Sequence, residues 1–131
     1  MTQRVAKLST PTWLFVCRDG PDTLPLREEH LFGHLDQIEA HNGRYRVAGP
    51  IRDEPDGPIV GSVFLVEAET KAEAERFMAG DPYISSRMYA SVEVFHMVPA
   101  CGSWMGGVIW DQGEIREQME RYVGAGTVPG R

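Results

Sequence analysis

Hydrophobic and polar positions change period several times along the chain, and each change marks an element. Trp13-Leu14-Phe15-Val16-Cys17 is a compact apolar run of strand-forming residues. Arg18-Asp19-Gly20-Pro21 ends it with turn chemistry. A helix is predicted from about Leu24 or Leu26 to His41, with Asn42-Gly43 as its stop. At about 100° per residue, Leu31, Leu35 and Ile38 share one face. That stripe must dock on something apolar, most simply a sheet. Tyr45-Arg46-Val47-Ala48 alternates as a strand and is expected to end at Gly49-Pro50. The stretch Asp53 to Pro58 is rich in turn formers and reads as an exposed hairpin loop. Gly61 to Glu67 is a largely buried central strand. Thr70 is the predicted N-cap of a helix over Lys71 to Ala79, with Glu73 completing a capping box. Gly80-Asp81-Pro82 stops that helix, because Gly ends helices and Pro constrains its predecessor. Ser91 to Val98 alternates as a fourth strand.

The order β-α-β-β-α-β predicts an α+β, ferredoxin-like domain over residues 12–98: a four-stranded antiparallel sheet with two helices on one face. The other face then carries apolar side chains, and exposed apolar area on that scale finds a partner. A homodimer through the sheets is expected. Residues 99–131 read as an extension, with Trp104 as a large anchor, a short charged helix from Glu114 to Val123, and a Gly-rich tail, Gly124 to Arg131, expected to fray. Some thirty residues cannot bury a core of their own.

Charge narrows the partners. The 131 residues carry a formal net charge of -6, which disfavours nucleic acid and anionic membranes. No apolar run approaches the roughly 20 residues needed to span a bilayer. Met1 to Pro11 is polar and lacks the apolar segment of a signal peptide, so a cytoplasmic location is expected. Cys17 and Cys101 form no C-x-x-C pair; Cys17, at the end of an apolar strand, reads as a small buried hydrophobe.

Candidate chemistry centres on Arg27-Glu28-Glu29-His30-Leu31 and Asp81-Pro82-Tyr83. Histidine titrates near neutrality, and a carboxylate can orient it and tune its basicity. His30 flanks the apolar stripe at about 100° from Leu31. Asp81 is either turn chemistry at a helix end or the partner of that histidine. His34 and His41 lie near the same helical face, and His-x-x-x-His is a zinc spacing. Without a well-placed third ligand no metal is expected, and His34 is read as lining a pocket. Arg18, Ser62, Tyr83 and Arg87 are candidate binding groups. No phosphate loop, dinucleotide fingerprint or nucleophile elbow occurs, so no cofactor is expected.

Five features in order carry a family resemblance: Arg27-x-x-His30-Leu31, Ala48-Gly49-Pro50, Gly61-Ser62, Asp81-Pro82-Tyr83, and Tyr89 before a Val-rich strand. With them the chain resembles the YCII-related (YciI-like) proteins. The resemblance implies a protomer that dimerises into an α+β barrel, and a His-Asp pair mapping onto His30 and Asp81 as catalytic groups. It implies proton-transfer chemistry on a small-molecule substrate: a cofactor-independent lyase or isomerase, acting by elimination or by lactone or keto-enol isomerisation on a small oxygenated or aromatic metabolite. The alternative is a non-catalytic module that binds a small molecule or a partner enzyme. Two departures stand out. Ser86-Arg87 replaces a small Ala-Gly pair, which puts a positive charge near the expected pocket mouth, and the extension is additional.

Overall fold

The computed structural model describes residues 2–124. Residues 125–131 of the Gly-rich tail, where fraying was expected, lie outside the described residues. Ten elements follow in order: β1 (Thr12–Asp19), α1 (Thr23–Ala40), β2 (Tyr45–Arg52), β3 (Ile59–Glu67), α2 (Lys71–Met78), α3 (Pro82–Ser85), β4 (Tyr89–Met97), β5 (Cys101–Gly102), β6 (Gly107–Val108) and α4 (Gln112–Gly124). They fall into two compact units, one of Thr10–Val98 and one of the flanking segments. No helix among the described residues is long and apolar enough to cross a membrane.

In the Thr10–Val98 unit the sheet order is β2-β3-β1-β4, with all neighbours antiparallel. This is the α+β, ferredoxin-like arrangement. Phe15 pairs with Phe64 on one side and Val94 on the other. Because strand side chains alternate, Phe15, Cys17, Phe64 and Val66 share a face. Ala74 and Met78 of α2 and Tyr83 of α3 close the core over them, with Leu26 and Ile38 of α1 partly buried against it.

Local chemistry explains the boundaries. Thr23, almost wholly buried, accepts from Gly20 N at 2.8 Å and donates to Met88 O at 2.6 Å, fastening the start of α1 to the segment before β4. Thr70 Oγ1 caps α2 by accepting from Glu73 N. The Glu73 carboxylate reaches back to Glu69 N instead of the Thr70 amide that a strict capping box uses. β2 does not end at Gly49-Pro50; it continues to Arg52. Being the sheet edge, it loses no ladder bond at a proline whose missing N–H faces outward. Gly61 is required where β3 crosses β1, since a Cβ there would run into Cys17 O.

The stop after α2 is itself a helix. Asp81 Oδ1 accepts from Tyr83 N at 2.9 Å and Pro82 occupies the first turn of α3, the position where its absent N–H costs nothing. α1 packs against α3 at Gly33, where a Cβ would lie 2.9 Å from Pro82 Cγ.

The flanking unit joins the two ends of the chain. β5 and β6 form a small hairpin, and Gln3, Arg4 and Val5 run alongside β6 through Val5 N to Val108 O and Val108 N to Gln3 O bonds of 2.8 and 2.9 Å. Arg4 pairs with Glu114 of α4 through two 3.0 Å bonds. The reading of Met1 to Pro11 from sequence held no sign of this pairing, because three short bridging residues carry no periodic signal.

Candidate active site

Between α1 and the β2–β3 edge of the sheet the Thr10–Val98 unit holds a cavity of about 530 Å³. Its apolar walls come from Leu31, Leu35 and Ile38 of α1 and from Val47, Ile59 and Phe64 of the strands. The α1 stripe therefore does not close down on the sheet; Leu31 and Leu35 remain 39% and 38% exposed. Into this space the helix also brings Arg27 and His34.

His34 Nδ1 lies 2.7 Å from Asp81 Oδ2. Asp81 is 0% exposed, and its other oxygen is held by the Tyr83 amide. The imidazole stacks on the Tyr83 ring, with centroids 3.8 Å apart and planes within 9°, and meets the edge of Phe64 at 6.0 Å. A carboxylate accepts only, so the bond places a proton on Nδ1 and leaves Nε2 as the nitrogen available to a ligand.

A second polar group stands two helical turns away. Arg27, 7% exposed, donates from Nε and Nη2 to the two Asp19 oxygens at 2.8 Å each. Nη2 also reaches Ser62 Oγ at 3.0 Å, and Ser62 Oγ accepts from the Tyr89 hydroxyl at 3.0 Å. The guanidinium sits 5.5 Å from the centroids of both Tyr83 and Tyr89. Burial works against its charge, but the hydrogen bonds and charge of Asp19 outweigh it and raise its pKa. A register shift in β1 between Arg18 and Asp19 sets Asp19 opposite Tyr89, the kind of irregularity that re-aims a side chain.

Asp81 does not meet His30. Among the described residues His30 Nε2 meets only Glu29 Oε2, at 3.8 Å, and His30 is absent from the cavity lining. The contact between α1 and α3 falls at Gly33, so the histidine beside it, one turn beyond His30, takes the carboxylate. Ser62 and Tyr83 line the cavity. Arg18 does not: it is exposed, 3.9 Å from Glu93. Alternation puts it on the opposite face from Cys17. Arg87 is likewise exposed and outside the lining. His96 packs on Trp13 at 5.2 Å, and His41 on Phe77 at 5.6 Å. No group of three metal-ligating side chains occurs among the described residues.

Residues 12–98 match the model of the YCII-related domain. The chain belongs to this family. An uncharacterized protein of Haemophilus influenzae is 34% identical over 91 residues, which is 63% of this chain and 91% of that protein. A solved relative is 5-chloro-2-hydroxyhydroquinone dehydrochlorinase (TftG) from Burkholderia phenoliruptrix AC1100, in complex with 2,5-dihydroxybenzoquinone. It is 25% identical with a TM-score of 0.60, over 71% of this chain and 97% of that one. Arg87 has a φ of 58°: the backbone there is left-handed, a conformation that glycine adopts without cost.

The charge of Asp81 is felt beyond His34. Burial first, and then that charge, push the Cys17 thiol up to about 12 and the Tyr45 phenol up to about 12. Both groups favour the fold in their neutral forms. Their contribution is complete below their ordinary values of 9.0 and 10.0 and is lost as pH rises toward about 12. The urea midpoint is therefore expected to fall steadily above pH 9. In native protein a thiol reagent should modify exposed Cys101 promptly and buried Cys17 only after denaturant is added; equal reactivity of both thiols would contradict this burial.

Proposed function

We propose that this chain is a cofactor-independent acid/base enzyme of the lyase or isomerase type, in which His34 moves a proton on a small oxygenated or aromatic substrate and Asp81 orients it. The observation that carries the reading is the 2.7 Å contact of His34 Nδ1 with fully buried Asp81, in the wall of a cavity of about 530 Å³. That volume falls within the roughly 300–1,000 Å³ usual for ligand sites. A histidine held by a buried carboxylate has a fixed tautomer, and its imidazolium form is stabilised where it develops. Stacking on Tyr83 limits rotation of the ring. The dehydrochlorinase relative, bound to a quinone, supports elimination from a hydroxylated ring as the reaction class.

Turnover of 5-chloro-2-hydroxyhydroquinone tests the reading. His34→Ala should lower kcat by about 10²–10⁴-fold while leaving the fold intact. Asp81→Asn should do comparable damage for a specific reason. Its carbonyl oxygen keeps the Tyr83 cap, so its amide group faces Nδ1 as a donor and drives the imidazole to the tautomer with the proton on Nε2. Undiminished turnover in His34→Ala would sink the proposal. Tight quinone binding with no turnover in the unaltered protein would favour a binding module.

The same reading extends to the expected dimer. Leu14 and Phe95 occupy the sheet face opposite the core by register, and Phe95 and Met97 are 49% and 40% exposed. Light scattering should return twice the chain mass; a monomer at micromolar concentration would exclude the sheet-to-sheet assembly.

A further inference from the structure

The Arg27 corner of the cavity is rich in hydrogen-bond donors. Nε and Nη2 of Arg27 are committed to Asp19 and Ser62. Nη1 takes part in none of these bonds, and the Tyr83 hydroxyl lies close to the guanidinium. Ser62 Oγ already receives Arg27 Nη2 and is joined to the Tyr89 hydroxyl. Two hydroxyls linked by one hydrogen bond leave one O–H proton over, whichever way that bond runs. With the Tyr89 hydroxyl donating to Ser62 Oγ, the spare O–H is that of Ser62, which lines the cavity. Arg27 and Ser62 are 7% and 4% exposed, and both line the cavity. A ligand oxygen there can take the place that water otherwise holds at their donors.

We infer that Arg27 Nη1 and the Ser62 hydroxyl form an oxyanion-binding corner, which makes the site select substrates whose reacting carbon is conjugated to a carbonyl oxygen, including hydroxylated rings in their keto form. This inference rests on the proton-transfer role of His34 and adds the group that receives the resulting charge. Asp19 neutralises Arg27, so the corner offers directed donors without net positive charge. It suits an oxygen that gains charge during the reaction more than a permanent multiple anion such as phosphate. Arg27 and His34 are seven residues apart on α1, close to two turns and about 10 Å along the axis. Both side chains meet the Tyr83 ring, the imidazole at 3.8 Å and the guanidinium carbon at 5.5 Å from its centroid, so a single six-membered ring can reach both.

The step then balances as follows. A C–H bond on a saturated carbon next to a carbonyl (for a hydroxylated ring, in its keto tautomer) breaks, and its proton forms an N–H bond at His34 Nε2. The electron pair passes through the conjugated system onto the oxygen held by Arg27 and Ser62. When the pair returns, either it expels a leaving group such as chloride as its anion, with the imidazolium proton released to solvent, or it takes the proton back from His34 at a different carbon. The first outcome is an elimination and the second an isomerisation. Neither requires an oxidant or reductant.

Calorimetric titration with 2,5-dihydroxybenzoquinone, which carries ionisable hydroxyls conjugated to carbonyls, tests the corner without turnover. Ser62→Ala should weaken binding at least tenfold, and Arg27→Lys, which keeps the charge but loses the planar fork, should weaken it as much. Tyr89→Phe cuts the same network behind Ser62 but leaves the serine its proton, so its affinity should stay within about threefold of the unaltered protein. His34→Ala should still bind. Unaltered affinity in Ser62→Ala, an equal loss in Tyr89→Phe, or no binding by the unaltered protein would each overturn the inference. The two roles separate cleanly. Loss of turnover in His34→Ala with no Ser62 effect on binding removes the corner and keeps the base; intact turnover in His34→Ala with a Ser62 effect does the reverse.

Discussion

A carboxylate taken wholly out of water costs several kcal/mol unless both oxygens are paired, and Asp81 meets that condition with one partner from each side of the helical layer. The backbone of α3 supplies the Tyr83 amide, and α1 supplies His34. One group thus fixes the start of a four-residue helix, the approach of α1 to α3, and the orientation of an imidazole. Gly33 makes the approach possible by leaving room for the Pro82 ring. Stability and chemistry meet in the same two oxygens.

The position of α1 follows from these anchors. At its N-terminal end Thr23 and Arg27 tie it down, through Met88 O and through Asp19 and Ser62. Near its middle His34 ties it to Asp81. Held at those points, the helix leaves Leu31, Leu35 and Ile38 lining a cavity against the β2–β3 edge. An apolar wall with a proton acceptor and a cluster of donors is what a small polarised ring requires. The hydrophobic stripe has become part of the site, and polar anchors perform the packing usually assigned to it.

Much of the architecture is legible in the sequence because it rests on local chemistry. The alternating runs, the Thr70 cap and the turns at Asp19-Gly20 and Asp53 to Pro58 each have a short-range cause. Gly49-Pro50 misled as a strand end because edge placement, which makes proline tolerable, is a property of the whole sheet. The structure pairs Asp81 with His34 and not with His30. On a helical wheel Arg27, Leu31, His34 and Ile38 fall within about 60° of Leu31, while His30 lies about 100° away, so the pattern already favoured His34. Arg27 could have been found by the same seven-residue spacing. Asp19 could not, since its aim depends on an irregularity in the strand register. The joining of Gln3 to Val5 with β6 has no sequence signal either, for isolated bridges lack periodicity.

The central claim is that Asp81 holds the His34 imidazole with its proton on Nδ1 and its lone pair on Nε2, facing the cavity. Nitrogen-15 NMR of the histidine side chains reads that tautomer directly. For the neutral ring the account predicts a protonated Nδ1 and a bare Nε2 at His34, with the two signals exchanged in Asp81→Asn. A His34 ring protonated on Nε2 in the unaltered protein, or one indifferent to Asp81→Asn, would contradict it.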